Sequence, residues 1–142
     1  MNKAQQYIQQ LNLKEHPEGG YYSETYRNQQ ELQFPGFNGK RSYASSIYFL
    51  LTQGQVSTKH RIQSDEIWYF HDGDCIEIME WLSDSDVKIT RLGKNLIQGE
   101  VLQHVVKANT WFGARLPEGS AYCLVGCQVS PGFDFSDFEL AD

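Results

Sequence analysis

The feature that most limits how this chain can fold is a succession of short alternating segments, each closed by a turn signal. Strands are predicted over Tyr21–Arg27, Ser42–Leu51, Gln55–His60, Glu66–His71, Cys75–Leu82, Val87–Leu92, Val101–Val106, Trp111–Leu116 and Ala121–Val129. They are rich in Val, Ile, Tyr, Phe and Trp, side chains that suit a pleated, half-buried surface. Ser83–Asp86, GKNLIQG, KAN and PEG interrupt them with the residues that turns demand. Many short strands at close spacing define an all-β sandwich or barrel. Helical spacing occurs once, where Ala4, Tyr7, Ile8 and Leu11 predict a short amphipathic helix over Asn2–Leu11. HPEGG (16–20) stops it with Pro and a Gly pair, whose expected job is a turn needing positive φ. The 142 residues fit one domain spanning 1–142, without repeats or an internal linker.

Charge and composition narrow the partners. The net charge is −6 and the only adjacent basic pair is Lys40-Arg41, a poor footing for nucleic acid or an anionic membrane surface. No apolar run reaches membrane-spanning length, and MNKAQQYIQQ lacks the apolar stretch of a secretory signal, so a cytoplasmic protein is expected. Cys75, Cys123 and Cys127 are odd in number and form no CxxC pair, which fits buried, reduced thiols.

The stretch Gly54–Gly73, GQVSTKHRIQSDEIWYFHDG, carries the candidate chemistry. Alternation puts His60 and Ile62 on one strand face, and Glu66, Trp68 and Phe70 on one face of the next. An imidazole and a carboxylate among bulky apolar side chains suit the wall of a concave binding site. Glu66 is expected either to contact ligand and orient His60, or to form a structural ion pair with Arg27 or Arg115. Trp68, Phe70, Tyr48, Trp111 and Phe112 supply rings for core or for stacking on a planar or sugar-like ligand, and the Tyr48 hydroxyl is a candidate general acid. Gln103 could orient a ligand through its amide, whereas His104 and His71 are expected to face outward. Arg27, with Glu24, offers either a salt bridge or a bidentate clamp on a carboxylate or phosphate. His16 and Glu18 could close over the mouth of the site. Asn28–Lys40, with Pro35-Gly36 and Asn38-Gly39, is a long loop and a candidate lid. The tail PGFDFSDFELAD alternates aromatics with acids and is expected to cross a sheet edge or a partner subunit.

The spacing His60, Ile62, Glu66, Gly73 resembles the first motif of the cupin superfamily, in which His at 60 and 62 and Glu at 66 would bind a metal. Here the second His is Ile62. The second cupin motif, Pro-x-Gly-x-x-His, is best matched by Lys107–Phe112, where Lys107, Asn109 and Phe112 replace its signature residues. HPEGGYYSETYR (16–27), SSIYFLL (45–51), HRIQSDEIWYFHDGD (60–74), VVKANTWFGARL (105–116) and YCLVGCQVSPGFDFSDFEL (122–140) together resemble a small uncharacterised cupin branch. The resemblance implies a double-stranded β-helix, the cupin jelly-roll barrel, with a pocket in its mouth and a homodimeric assembly. In fold it is also similar to the dTDP-sugar epimerases.

Of the four expected metal ligands only His60 and Glu66 remain, so no cofactor is expected, a weak divalent metal at those two residues being the alternative. The sequence therefore points to a small-molecule-binding cupin anchored by His60 and Glu66. The competing readings are a metal-independent sugar-type epimerase or isomerase with His60 as general base, a weak-metal cupin, and a structural dimer without ligand. No Gly-rich phosphate loop or basic cluster is present, so a nucleotide-sugar pyrophosphate would depend on scattered Arg27, Arg61 or Arg115.

Overall fold

The computed structural model describes every residue from Met1 to Asp142. Helix α1 (Lys3–Gln10) starts where the Asn2 side chain accepts a hydrogen bond from the Gln5 backbone amide and the Gln5 side-chain oxygen accepts one from the Asn2 backbone amide, satisfying two orphan donors of the first turn. The strands are β1 (Lys14–Glu15), β2 (Tyr21–Arg27), β3 (Glu31–Leu32), β4 (Arg41–Ser42), β5 (Ser45–Thr52), β6 (Val56–Arg61) and β7 (Asp65–Gly73). They continue with β8 (Ile76–Ser83), β9 (Asp86–Leu92), β10 (Gln103–Val106), β11 (Trp111–Arg115), β12 (Tyr122–Ser130) and β13 (Glu139–Leu140). The strands expected from alternation are all present, with ends shifted by no more than a few residues. The additions are the two-residue pieces β1, β3, β4 and β13, too short to carry a period.

Two antiparallel sheets face each other. The larger runs β1-β2-β5-β12-β7-β10 and the smaller β13-β6-β11-β8-β9. Their inner faces merge into one core, with Phe49 and Leu51 from β5, Trp68 from β7, Ile76 and Ile78 from β8, Phe112 and Ala114 from β11, and Val125 and Cys127 from β12. Burying each large apolar side chain there contributes roughly 1.5–3 kcal/mol, so this shared core dominates stability. The architecture is the double-stranded β-helix that the sequence implied. A second, smaller cluster forms on the outer face of the large sheet, where α1 covers Leu50 and Leu124 with Ala4, Tyr7, Ile8 and Leu11. Tyr7 and Tyr122 both donate to the same Asp72 carboxylate oxygen, at 2.7 and 2.8 Å, and pin α1 to the end of β7.

The C-terminal segment closes one sheet edge. β13 pairs with β6, placing Leu140 opposite His60, and the Ala141 amide donates to the Lys59 carbonyl at 3.0 Å. The segment is anchored by Arg41, whose guanidinium forks onto both oxygens of Asp137 at 2.8 Å and also donates to Ser136 Oγ at 2.9 Å. The acid–aromatic tail thus crosses a sheet edge of its own barrel. No helix is long and apolar enough to cross a membrane. All three cysteines are free, with Cys123 and Cys127 buried on one face of β12.

Candidate functional site

Between the sheets lies a cavity of about 50 Å³. The space suits a ligand of a few heavy atoms. Ser45, Ile47 and Phe49 of β5 line it, with Tyr22 of β2, Cys127 and Val129 of β12, and Glu66 and Trp68 of β7. His60 of β6 and the following Ile62 face them, and His16 and Glu18 enter from the HPEGG turn. Phe133 and Phe138 of the C-terminal segment complete the lining.

The HPEGG turn is pressed onto β6. Thr58 donates to the Glu18 carbonyl from its amide at 2.9 Å and its hydroxyl at 3.0 Å. Gly19, at φ +111°, is the point of closest approach, since a Cβ there would collide with the Val56 carbonyl oxygen. Only glycine fits both that dihedral and that contact. The turn carries Glu18 to His60, whose Nε2 lies 2.9 Å from Glu18 Oε2, while Ser57 Oγ donates to Glu18 Oε1 at 2.9 Å.

His60 Nδ1 lies 2.6 Å from the Thr58 carbonyl oxygen. A carbonyl only accepts, so Nδ1 carries a proton, and the Nε2 contact with Glu18 is best served by an imidazolium. Burial works against that charge, but the hydrogen bond and charge of Glu18, the Thr58 carbonyl and the Glu66 charge outweigh it and raise the His60 pKa. His16 is the opposite case. Its Nδ1 accepts from the Glu18 amide at 3.1 Å, which leaves the proton on Nε2, and burial lowers its pKa. No protein group accepts from the Nε2–H, which is not sealed in the interior.

Glu66 is less well served. One carboxylate oxygen accepts from the Trp68 indole N–H at 3.0 Å, and the other has no protein donor. Burial pushes its pKa up to about 7, helped by the Glu18 charge and opposed by His60 and the Trp68 bond. A carboxyl that titrates near neutrality can give or take a proton at little cost. The cavity therefore holds an ion pair, Glu18–His60, beside a carboxyl whose pKa burial raises to about 7.

His60, Ile62, Glu66 and Trp68 meet in this cavity as strand parity predicted. The partner of His60, however, is Glu18 rather than Glu66. Several expected binding residues lie elsewhere. Phe112 is 1% exposed and packs its ring 4.2 Å from that of His60, as core beneath the site. Phe70 packs against the core without lining the cavity. Tyr48 points to the outer face of the large sheet, near α1 and edge-on to His71. Gln103 is exposed, and its neighbour His104 turns inward to Glu80 at 2.6 Å, the reverse of the expected parity. The register explains it: His104 stands opposite the inward Trp68, and Gln103 opposite Tyr69. Arg27 donates to Glu24 at 2.6 Å and to the Phe133 carbonyl at 2.9 Å, a structural role outside the cavity. Arg115 pairs with Glu77, so neither arginine serves Glu66. No residue of 28–40 lines the cavity, and the covering segment is the C-terminal one. Tyr22, Phe133 and Phe138 join the lining without a motif of their own, the acid–aromatic alternation of the tail being the one sequence signal of the last two.

The donor set does not fit a cupin metal centre. Ile62 and Phe112 offer no ligand atom, both nitrogens of His60 are engaged, and no three His, Cys, Asp or Glu side chains converge as a metal site.

A jelly-roll barrel with a polar-anchored cavity between its sheets defines a cupin, and the comparisons agree. The chain belongs to the family described as Cupin superfamily (DUF985), whose profile matches residues 5–141. It is similar to a crystallised protein of Shewanella oneidensis (40% identity, TM-score 0.89, covering 100% of this chain and 86% of that one). A hypothetical protein from Leishmania major superposes with TM-score 0.91 at 35% identity, over 99% of this chain and 88% of that one. An uncharacterized protein of Saccharomyces cerevisiae is 29% identical, over 96% of this chain and 74% of its own length.

Proposed function

We propose that this chain is a metal-independent, small-molecule-binding cupin of the cytoplasm that works as a homodimer. The observation that carries the reading is the cavity itself, with two carboxylates and two imidazoles set among Phe, Tyr and Trp side chains. Polar groups that line the cavity without full protein partners, the second Glu66 oxygen and the His16 Nε2–H, are what a ligand would satisfy. Exposed Tyr26, Leu32, Tyr43 and Phe135 provide apolar surface for a second copy.

The near-neutral Glu66 favours a second reading, an isomerase or epimerase that moves a proton next to a carbonyl. Glu66 would then exchange the proton, because the Nε2 of His60 is committed to Glu18. A nucleotide-sugar substrate is poorly supported, since no Lys or Arg lines the cavity to meet a pyrophosphate.

Native mass spectrometry of protein purified without chelator tests the reading, followed by a fragment screen on the same sample. The expected result is a dimer that retains or captures an organic molecule of a few heavy atoms, with a matching rise in melting temperature. A stoichiometric metal lost in His60→Ala would overturn the metal-independent reading, a monomer the dimer, and a failure to capture any fragment the binding role.

A further inference from the structure

The charge balance of the cavity points to a ligand class. All five arginines are spent in ion pairs: Arg27 with Glu24, Arg41 with Asp137, Arg61 with Glu139, and Arg91 and Arg115 with Glu77. None of these lines the cavity, and no lysine does. Lys14 reaches the lining only through the Tyr22 ring, 5.4 Å from its centroid. An anionic ligand would therefore enter a space that already holds two carboxylates and offers one imidazolium, itself committed to Glu18.

A cation meets the opposite situation. The second oxygen of Glu66 has no protein donor, and its charge has no cation of its own. The same cavity is lined by the rings of Trp68, Phe49, Tyr22, Phe133 and Phe138. Rings beside a carboxylate stabilise an ammonium group through their negative faces while the carboxylate answers its charge. The Nε2–H of His16, a lining residue whose Nδ1 alone is engaged, adds a donor that the cation cannot use, so an oxygen acceptor elsewhere on the ligand would complete the fit.

We infer that the cavity binds a small organic ammonium ion carrying an oxygen acceptor, with the ammonium on Glu66 and the oxygen on His16. The inference deepens the small-molecule reading above and rests on it. The titratable groups that share the cavity lining with Glu66 are Glu18 and His16 from the turn, Tyr22 from β2, His60 from β6 and Cys127 from β12. Glu18 and His60 compensate one another, and His16 and the Cys127 thiol, whose pKa burial pushes well up, stay neutral. Glu66 is thus the group whose charge sets affinity. A cation needs it ionised, so binding tightens as pH rises through about 7, the Glu66 value, and releases a proton below it.

Three probes of nearly equal size separate the charge classes: ethanolamine, ethylene glycol and glycolate. Their affinities are read from the Trp68 indole N–H resonance, which reports the hydrogen bond to Glu66. The expected ranking puts ethanolamine about tenfold or more ahead of both, with affinity rising between pH 6 and pH 8. Glu66→Gln keeps an acceptor for Trp68 and should erase that advantage and its pH dependence. The wild-type ranking stands as a test without the variant. Equal or tighter binding of ethylene glycol or glycolate overturns the ammonium inference and leaves the small-molecule pocket standing. No binding by any of the three, with an empty protein in native mass spectrometry, overturns both.

Discussion

Replacing Glu66 by Gln should stabilise this protein at alkaline pH and leave it little changed in acid. Glu66 titrates at about 7 in the folded chain against 4.5 when unfolded. The folded state therefore binds more protons between those values, and stability falls as pH rises through that window. Below 4.5 both states hold the protonated acid and the cost is absent; above 7 it is fully present. At 1.36 kcal/mol per pKa unit the cost approaches about 3 kcal/mol. Gln has nearly the same shape, keeps the acceptor for the Trp68 N–H, and carries no charge to bury. Losing the Glu66 charge also removes one support of the protonated His60, which trims the gain. Urea unfolding of both proteins at pH 5.5 and 8.5 measures the difference, and the advantage of Glu66→Gln should grow by about 2 kcal/mol between them. A difference that is flat with pH, or that shrinks as pH rises, would refute the placement of Glu66 as a buried carboxyl without a cation.

Two further perturbations probe the elements that build the cavity. Gly19→Ala forces a Cβ into the Val56 carbonyl at φ +111°, so the turn must move and Glu18 leaves His60. We expect a loss of at least about 2 kcal/mol in urea unfolding, together with a fall of the His60 pKa in an NMR titration; an unchanged titration would mean that the turn does not hold Glu18. Asp137→Ala removes the fork that anchors the C-terminal segment to Arg41. It should cost about 1–3 kcal/mol and speed hydrogen exchange at the Gly132, Phe133 and Ala141 amides, leaving β5 and β12 protected. Unaltered exchange at Ala141 would show that pairing with β6 alone secures the segment.

The boundaries of the long strands were legible because turn residues and alternation are local properties of the chain, and Tyr21–Arg27 was found with both ends correct. The inward parity of His60, Ile62, Glu66 and Trp68 followed from the same alternation, on strands whose two faces differ. β5 defeated that logic. It is covered by the opposite sheet on one face and by α1 on the other, so its sequence reads as a continuous apolar run and gives no sign that Tyr48 faces out. Gln103 and His104 were reversed because pairing with β7 fixes which face of β10 is inner, and a one-residue change of register exchanges every side chain across a strand. By itself, then, the chain determined its strand pattern, its family and the wall that includes His60 and Glu66, since each rests on short-range spacing. Only the tertiary structure decided that Glu18 pairs with His60, that the C-terminal aromatics close the cavity, and that every arginine is spent elsewhere. Those facts depend on which distant segments the folded backbone brings within hydrogen-bonding distance, and no local pattern carries that information.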